Sequence, residues 1–367
     1  MLNDPVKPDS YEVRRQVRLQ TIDFDYPLPS EAIAQTPAEP RDSARLLRVE
    51  DLSDHRFSEL PDLLDARDLV VVNDTRVRAA RLRGRRRSAG AGSDVQPGGK
   101  VEALLLERKD DGTWEALVRP ARKVRSGQEI DFAGLKATVL TDPVEGRVVV
   151  RLEAPGDVEK AVADHGEVPL PPYITRALAD PERYQTVYAA TPGSAAAPTA
   201  GLHFTRPVLD RLESRGISVA SVELRVGVGT FRPITSEAIE DHRMHSEWVS
   251  VPQETAAAVA EAKDRGAAVV AIGTTVVRAL EARSTGGRLE AGSGHTDLFI
   301  RPGHRFRSVD RLVTNFHAPR SSLLVMLAAF MGTSWRPAYE TALERGYRFL
   351  SFGDAMLVDH STEAAGG

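Results

Sequence analysis

His242, His245 and Glu247 fall within HRMHSEW, and this spacing of imidazoles and a carboxylate suits two kinds of chemistry. On a helix, His at i and i+3 would share a face and could hold a metal with the carboxylate. The flanking sequence, PITSEAIEDHRMHSEWVSVP, instead reads as a helix-to-strand transition, and no HExxH pattern accompanies it. The preferred reading is therefore acid–base or hydrogen-bonding work, with no metal. Pro198-Thr-Ala-Gly-Leu-His203 forms a turn ahead of a helix start, where unpaired N–H groups suit an anion or carboxylate, with His203 at the rim. Gly273-Thr274-Thr275 ends the strand AVVAIG in the same way, with Arg278 one turn into the next helix. Asn73-Asp74-Thr75 after LVVV and Thr314-Asn315-Phe-His317 after DRLV complete four loops that would share one rim. Ligands of open α/β sheets bind outside the carboxyl ends of strands, so this rim is a candidate site. Gly227-Val-Gly229-Thr230-Phe231 also follows a strand and could let backbone approach a ligand, or could be no more than a strained strand end.

A different chemistry is written in RVRAARLRGRRR, which holds seven arginines over residues 76–87. As a strand it would put Arg81, Arg83, Arg85 and Arg87 on one face, where guanidinium forks could meet phosphates. The alternative is a solvated strand edge that discourages pairing. Arg119, Arg122, Lys123 and Arg125 in the same module favour RNA.

The elements that must position these residues change character along the chain. Residues 1–20 read as a flexible leader, and Ser30-Glu31 as the start of a short helix EAIAQ. Between 76 and 155, short alternating strands separated by Gly, Asp and Pro turns give a small antiparallel β-barrel, with a hairpin loop over 88–99. After Pro155, helices and strands alternate, which implies an α/β, mostly parallel sheet with helices on both faces. The expected division is a discontinuous α/β catalytic domain, 21–75 and 156–367, carrying an inserted barrel. The 367 residues suit two domains, and a net charge of −4 requires any RNA partner to be met by a local patch. The chain has no cysteine, which excludes disulfides, thiolate nucleophiles and cysteine-held metals. No export signal or apolar span of membrane length is evident, so a cytoplasmic protein with no membrane partner is expected.

The blocks IAQTPAEPRDSARLL, DLVVVNDTRVRAARL, PLPPYI, APTAGLHFT, VGVGTFRPI, HRMHSEW, AIGTTVVRALE, GSGHTDLFI, NFHAPRSSLL and YRFLSFGDAMLV resemble the S-adenosylmethionine:tRNA ribosyltransferase-isomerases of queuosine biosynthesis. The likeness is collinear from about Phe24 to Val358. It implies transfer of the ribosyl part of S-adenosylmethionine to 7-aminomethyl-7-deazaguanine at the wobble position of a tRNA with a GUN-type anticodon. Epoxyqueuosine-tRNA, adenine and methionine would result, with no cofactor beyond the co-substrate and a monomeric enzyme. For that chemistry His203 or His245 would move protons, while Glu247 and Asp297 supply negative potential beside the sulfonium. The loops bearing Asn73, Asp74, Thr75, Thr199, Gly201, Gly227, Gly229, Thr230, Gly273, Thr274, Thr275, Arg278, Asn315 and His317 would hold the donor. Several positions depart from the family pattern: Arg225 replaces an expected His, His295 an expected Glu and Val276 an expected Ser, while Ala318 and Arg320 stand where Leu and Lys are commoner. Two other readings stand beside this one, a paralogue with a non-tRNA acceptor and a non-catalytic RNA-binding protein.

Overall fold

The computed structural model describes residues 18–88, 96–227 and 233–361. The leader through residue 17, the tip of the expected hairpin loop, and Gly229 and Thr230 lie outside the described residues.

Strands β1 (Arg45–Arg48) and β2 (Ser53–Arg56) form an antiparallel pair, followed by β3 (Leu69–Asn73) and β4 (Thr75–Val77). Six strands then follow in succession: β5 (Arg81–Ser88), β6 (Gln96–Arg108), β7 (Trp114–Arg119), β8 (Glu129–Phe132), β9 (Leu135–Val139) and β10 (Arg147–Glu153). All pair antiparallel and close into a barrel in the order β10-β7-β6-β5-β8-β9. Their alternating pattern is the cause: Leu82, Val101, Ala103, Trp114, Ala116, Val118, Val148 and Val150 are buried and make a core of their own. Closure between β5 and β8 requires Gly84, because a Cβ there would lie 2.2 Å from the Asp131 carbonyl oxygen. Strands β5 and β6 reach Ser88 and Gln96, so the hairpin is longer in strand and shorter in loop than the sequence suggests.

After α1 (Val158–His165), the chain forms β11 (Thr191–Ser194), α2 (Arg206–Ser214), β12 (Ser218–Leu224), β13 (Glu247–Val251) and α3 (Gln253–Asp264). Next come β14 (Val269–Ile272), α4 (Thr274–Ala282), the small pair β15 (Ser284–Thr285) and β16 (Arg288–Leu289), and β17 (Gly292–Thr296). The last elements are β18 (Arg311–Asn315), α5 (Ser322–Met331), α6 (Trp335–Glu344) and β19 (Ala355–Asp359).

Nine strands join in one sheet, β17-β13-β12-β3-β14-β18-β19-β1-β2. The run LVVVN at its centre is buried on both faces. Leu69 and Val71 pack with α3, α4, α5 and α6, while Val70 and Val72 face Phe57, Leu60 and α2. Helices therefore cover both faces, but the sheet is mixed, not mostly parallel. Only β12-β3-β14-β18 and the β19-β1 pair run parallel, and the remaining junctions are antiparallel. One crossover helix returns a chain to the edge where its strand began. Two helices, α5 and α6, separate β18 from β19, so the chain re-enters from the edge it left, with Ala355 opposite Asn315. The expected helix at EAIAQ is also only a single 3-10 turn, Ser30–Ala32. Thr36 precedes Pro37, which disfavours continued helix, and Ile33 instead bridges in parallel to Phe349.

Candidate functional site

The four parallel strands end side by side, so Leu224, Asn73, Ile272 and Asn315 bring their following loops to one rim. Many polar residues there are spent on holding the rim together. Asn73 donates from Nδ2 to the Leu224 carbonyl at 3.0 Å, and its Oδ1 accepts the N–H groups of Leu224 and Thr75, each at 3.2 Å. The Thr75 hydroxyl donates to the same Leu224 carbonyl. Thr199, Gly201 and His203 lie on a short 3-10 turn across the rim. The Thr199 hydroxyl donates to Asn315 Oδ1 at 2.8 Å, tying this turn to β18. Gly201 is enforced by its neighbour, since a Cβ would stand 2.1 Å from the Tyr188 hydroxyl. That hydroxyl is buried without a partner among the described residues. Beside it, burial pushes the Asp74 carboxyl above the ordinary carboxylate range.

Two histidines expected at the site are locked into the rim. His203 is buried against the Phe57 ring, with Nδ1 3.1 Å from the Ala200 carbonyl and Nε2 2.9 Å from that of Gly353. Burial lowers its pKa, while the two carbonyls act in the opposite direction. The histidine expected as a proton carrier at the rim thus has both nitrogens facing backbone carbonyls. His317 is likewise enclosed, with Nε2 3.0 Å from the Thr314 hydroxyl, and burial pushes its pKa down to about 3. Its contribution is to rim geometry.

Glu247 opens β13 with its side chain buried. One oxygen accepts the Gly227 N–H at 2.8 Å, and the other pairs with Arg278 Nη1 on the second turn of α4. Both side chains of this pair are 4% exposed. Arg278 Nε and Nη2 are buried without a partner among the described residues, as is the Thr275 hydroxyl one turn earlier. Gly273, at φ 91°, makes the sharp turn from β14 into α4 and leaves Thr274 and Thr275 at the helix N-terminus. Unsatisfied buried donors are costly, and three polar groups at one helix start are what an anionic ligand would satisfy.

Alongside this pair, a cavity of about 220 Å³ opens between the barrel and the sheet. His245, Glu247, Trp248 and His295 line it from the sheet side, and Arg78, Glu115 and Arg147 from the barrel side. His245 is exposed and lies between the 3-10 turn Ile239–Asp241 and β13, not on a helix, so the i, i+3 metal geometry does not arise. Among the described residues no group of three or more metal-ligating side chains is placed to hold an ion. Arg147 pairs with Glu115 at 2.6 Å. Trp248 is met by two of the departing residues: the Arg225 guanidinium lies 5.6 Å from its ring, and the His295 ring stands edge-on at 5.3 Å. Asp297 follows β17 and is exposed, one residue beyond the Thr296–Glu247 register pair.

The motif reading missed Arg78, Glu115, Arg147 and Trp248. Strand alternation in WEALVR and RVVVRLE could have paired Glu115 with Arg147, because both occupy outward positions. Nothing in the sequence signals that this face meets β13.

The arginine stripe has the expected parity, with Leu82 inward and Arg81, Arg83, Arg85 and Arg87 outward or half-buried. Three of the four are already engaged. Arg81 lies 3.6 Å from Glu102, Arg83 3.2 Å from Glu167, and Arg87 2.6 Å from Asp131. Arg85, Arg122 and Lys123 carry no ion pair among the described residues.

The family described as "Queuosine biosynthesis protein" matches residues 21–358. An S-adenosylmethionine:tRNA ribosyltransferase-isomerase of Anaeromyxobacter sp. is 50% identical over 350 residues, spanning 93% of this chain and 99% of that protein. A protein of the same name from Heliobacterium modesticaldum is 50% identical over 346 residues, covering 91% and 98% respectively. Among solved structures, the S-adenosylmethionine tRNA ribosyltransferase of Thermotoga maritima aligns with a TM-score of 0.51 at 36% identity, over 91% of this chain and 99% of that one. With the match running through the rim loops, the barrel and the cavity between them, the chain belongs to the queuosine biosynthesis family of tRNA ribosyltransferase-isomerases.

Proposed function

We propose that the protein transfers and isomerises the ribosyl moiety of S-adenosylmethionine onto 7-aminomethyl-7-deazaguanine at the wobble position of tRNAs with GUN-type anticodons. Epoxyqueuosine-tRNA, adenine and methionine are the products. The enzyme works in the cytoplasm as a monomer, without a cofactor beyond its co-substrate. Residues 76–155 form an RNA-contacting insert, and 21–75 with 156–367 form the catalytic domain.

The observation that carries this reading is the cavity between barrel and sheet, where an exposed histidine, carboxylates and arginines meet beside buried, unpartnered donors. The donor's methionine carboxylate fits the free Arg278 N–H groups and the Thr275 hydroxyl at the start of α4. Glu247 holds Arg278 and Gly227 in place. Because Arg278 already offsets the charge of Glu247, and Arg147 that of Glu115, negative potential for the sulfonium falls to Asp297. His245 and His295 both line the cavity, and of the two histidines first considered for proton transfer His245 is the one that opens on it, so it takes that role. The sulfonium acidifies the donor's C5′ hydrogens, so a base there starts the reaction, and adenine departs once protonated. Asn73, Thr75, Thr199, Gly201, Asn315 and His317 support the donor loops from behind. Asp74, Gly227, Gly273 and Thr274 shape the pocket wall.

Donor labelled separately in the ribose and in the methyl group tests the reading. Label should pass to modified tRNA from the ribose and not from the methyl group. Methyl label in the tRNA, or no label from either position, would refute it.

A further inference from the structure

The stripe of barrel arginines is mostly neutralised by carboxylates, yet a neighbouring set of cations is not. Arg85 on β5 and Lys100 on β6 are directly opposed in the strand register, and both are exposed. Like charges opposed across strands repel, and neither has an ion pair among the described residues. Arg119 on β7 stands in the adjacent row, opposite Glu102, which is shared with Arg81 and Arg83. Arg83, Gly84, Arg85, Lys100, Glu102 and Arg119 line one shallow groove of about 910 Å³. Beyond Arg119 the chain turns through the 3-10 segment Ala121–Lys123, which adds exposed Arg122 and Lys123.

We propose that this groove clamps the RNA phosphate backbone, with Arg85, Lys100 and Arg119 as the contacts that matter and Arg122 and Lys123 extending them. The proposal rests on the tRNA reading above and narrows it: Lys100 joins Arg119 in the contact set, whereas Arg81 and Arg87 serve the barrel. Along β6, Lys100 lies seven residues from Glu107, which lines the candidate cavity. At roughly 3.3 Å per residue this is about 20 Å. The groove therefore grips phosphates several nucleotides away from the reacting base. A planar guanidinium fork and a compact ammonium side by side suit a phosphodiester, and opposed cations lose their repulsion when an anion lies between them.

The test compares the full-length protein with its Arg85→Gln/Lys100→Gln variant, measuring tRNA affinity across salt concentrations and KM for S-adenosylmethionine. Each lost phosphate contact should lower the slope of log affinity against log salt by about 1, so the variant's slope should fall by about 2. KM for the donor should stay at the wild-type value. A wild-type slope in the variant, with wild-type protein still turning over tRNA, would overturn the clamp and leave the functional reading intact. Wild-type protein showing no tRNA binding would overturn both. Variant protein losing affinity for anionic lipid vesicles but not for tRNA would assign the groove to membranes and overturn the proposal.

Discussion

At the residue scale the Glu247–Arg278 pair makes the sharpest demand on the fold. Two charges 4% exposed are tolerable only while they face each other, so Arg278→Met should leave an uncompensated carboxylate and cost about 3–5 kcal/mol. Denaturant unfolding should show that loss, and KM for S-adenosylmethionine should rise with it. The double variant Arg278→Met/Glu247→Leu should regain most of the stability while KM stays high, because the carboxylate-binding fork is still absent. A double variant with restored KM would contradict the donor role of Arg278. The sequence showed Glu247 and Arg278 as separate motif members, 31 positions apart. What it could not show is which of two nearby groups is spent on structure. His203 and His245 have comparable motif contexts, yet the first is pinned between two carbonyls and the second opens on the cavity. Burial decides that difference, and burial is a property of the packed molecule.

At the scale of elements, the rim works because β14 turns abruptly into α4 at Gly273. A Cβ at that position would meet Ala200 Cβ at 3.5 Å, an ordinary contact, so the obstacle to a side chain is the φ of 91°. Gly273→Ala should therefore cost about 1–3 kcal/mol of stability through backbone strain, because φ 91° with ψ 156° is a conformation essentially only glycine adopts. By shifting Thr274 and Thr275, it should raise KM for the donor more than it lowers kcat. Unchanged unfolding and unchanged KM would show that the turn relaxes freely and is not part of the donor site. Such turns were legible because a glycine between a β-branched apolar run and a helical pattern marks where extended backbone must bend into helix. The reversals of β13, β17 and β19 were not legible. Strand direction depends on how many helices a connection contains and where they pack, and the periodicity of each strand is the same in either direction.

At the scale of the whole molecule, the barrel has its own core and the sheet has a core on each face, and the candidate cavity lies where the two bodies meet. The barrel was readable as a break in texture between 76 and 155. Its contribution to the cavity, through Arg78, Glu115 and Arg147, was not, because outward-facing strand residues look alike whether they meet solvent or another body. The proposed function divides labour across this arrangement, with the donor on the rim, the acceptor base at the cavity and the RNA backbone on the barrel. Such an enzyme should not spend its donor without the acceptor in place. The most direct measurement is adenine release from S-adenosylmethionine with unmodified tRNA, with tRNA carrying 7-aminomethyl-7-deazaguanine, and with no tRNA. Adenine released only in the presence of the modified tRNA is the predicted result. Release at the same rate without tRNA, or none with the modified tRNA, would contradict it.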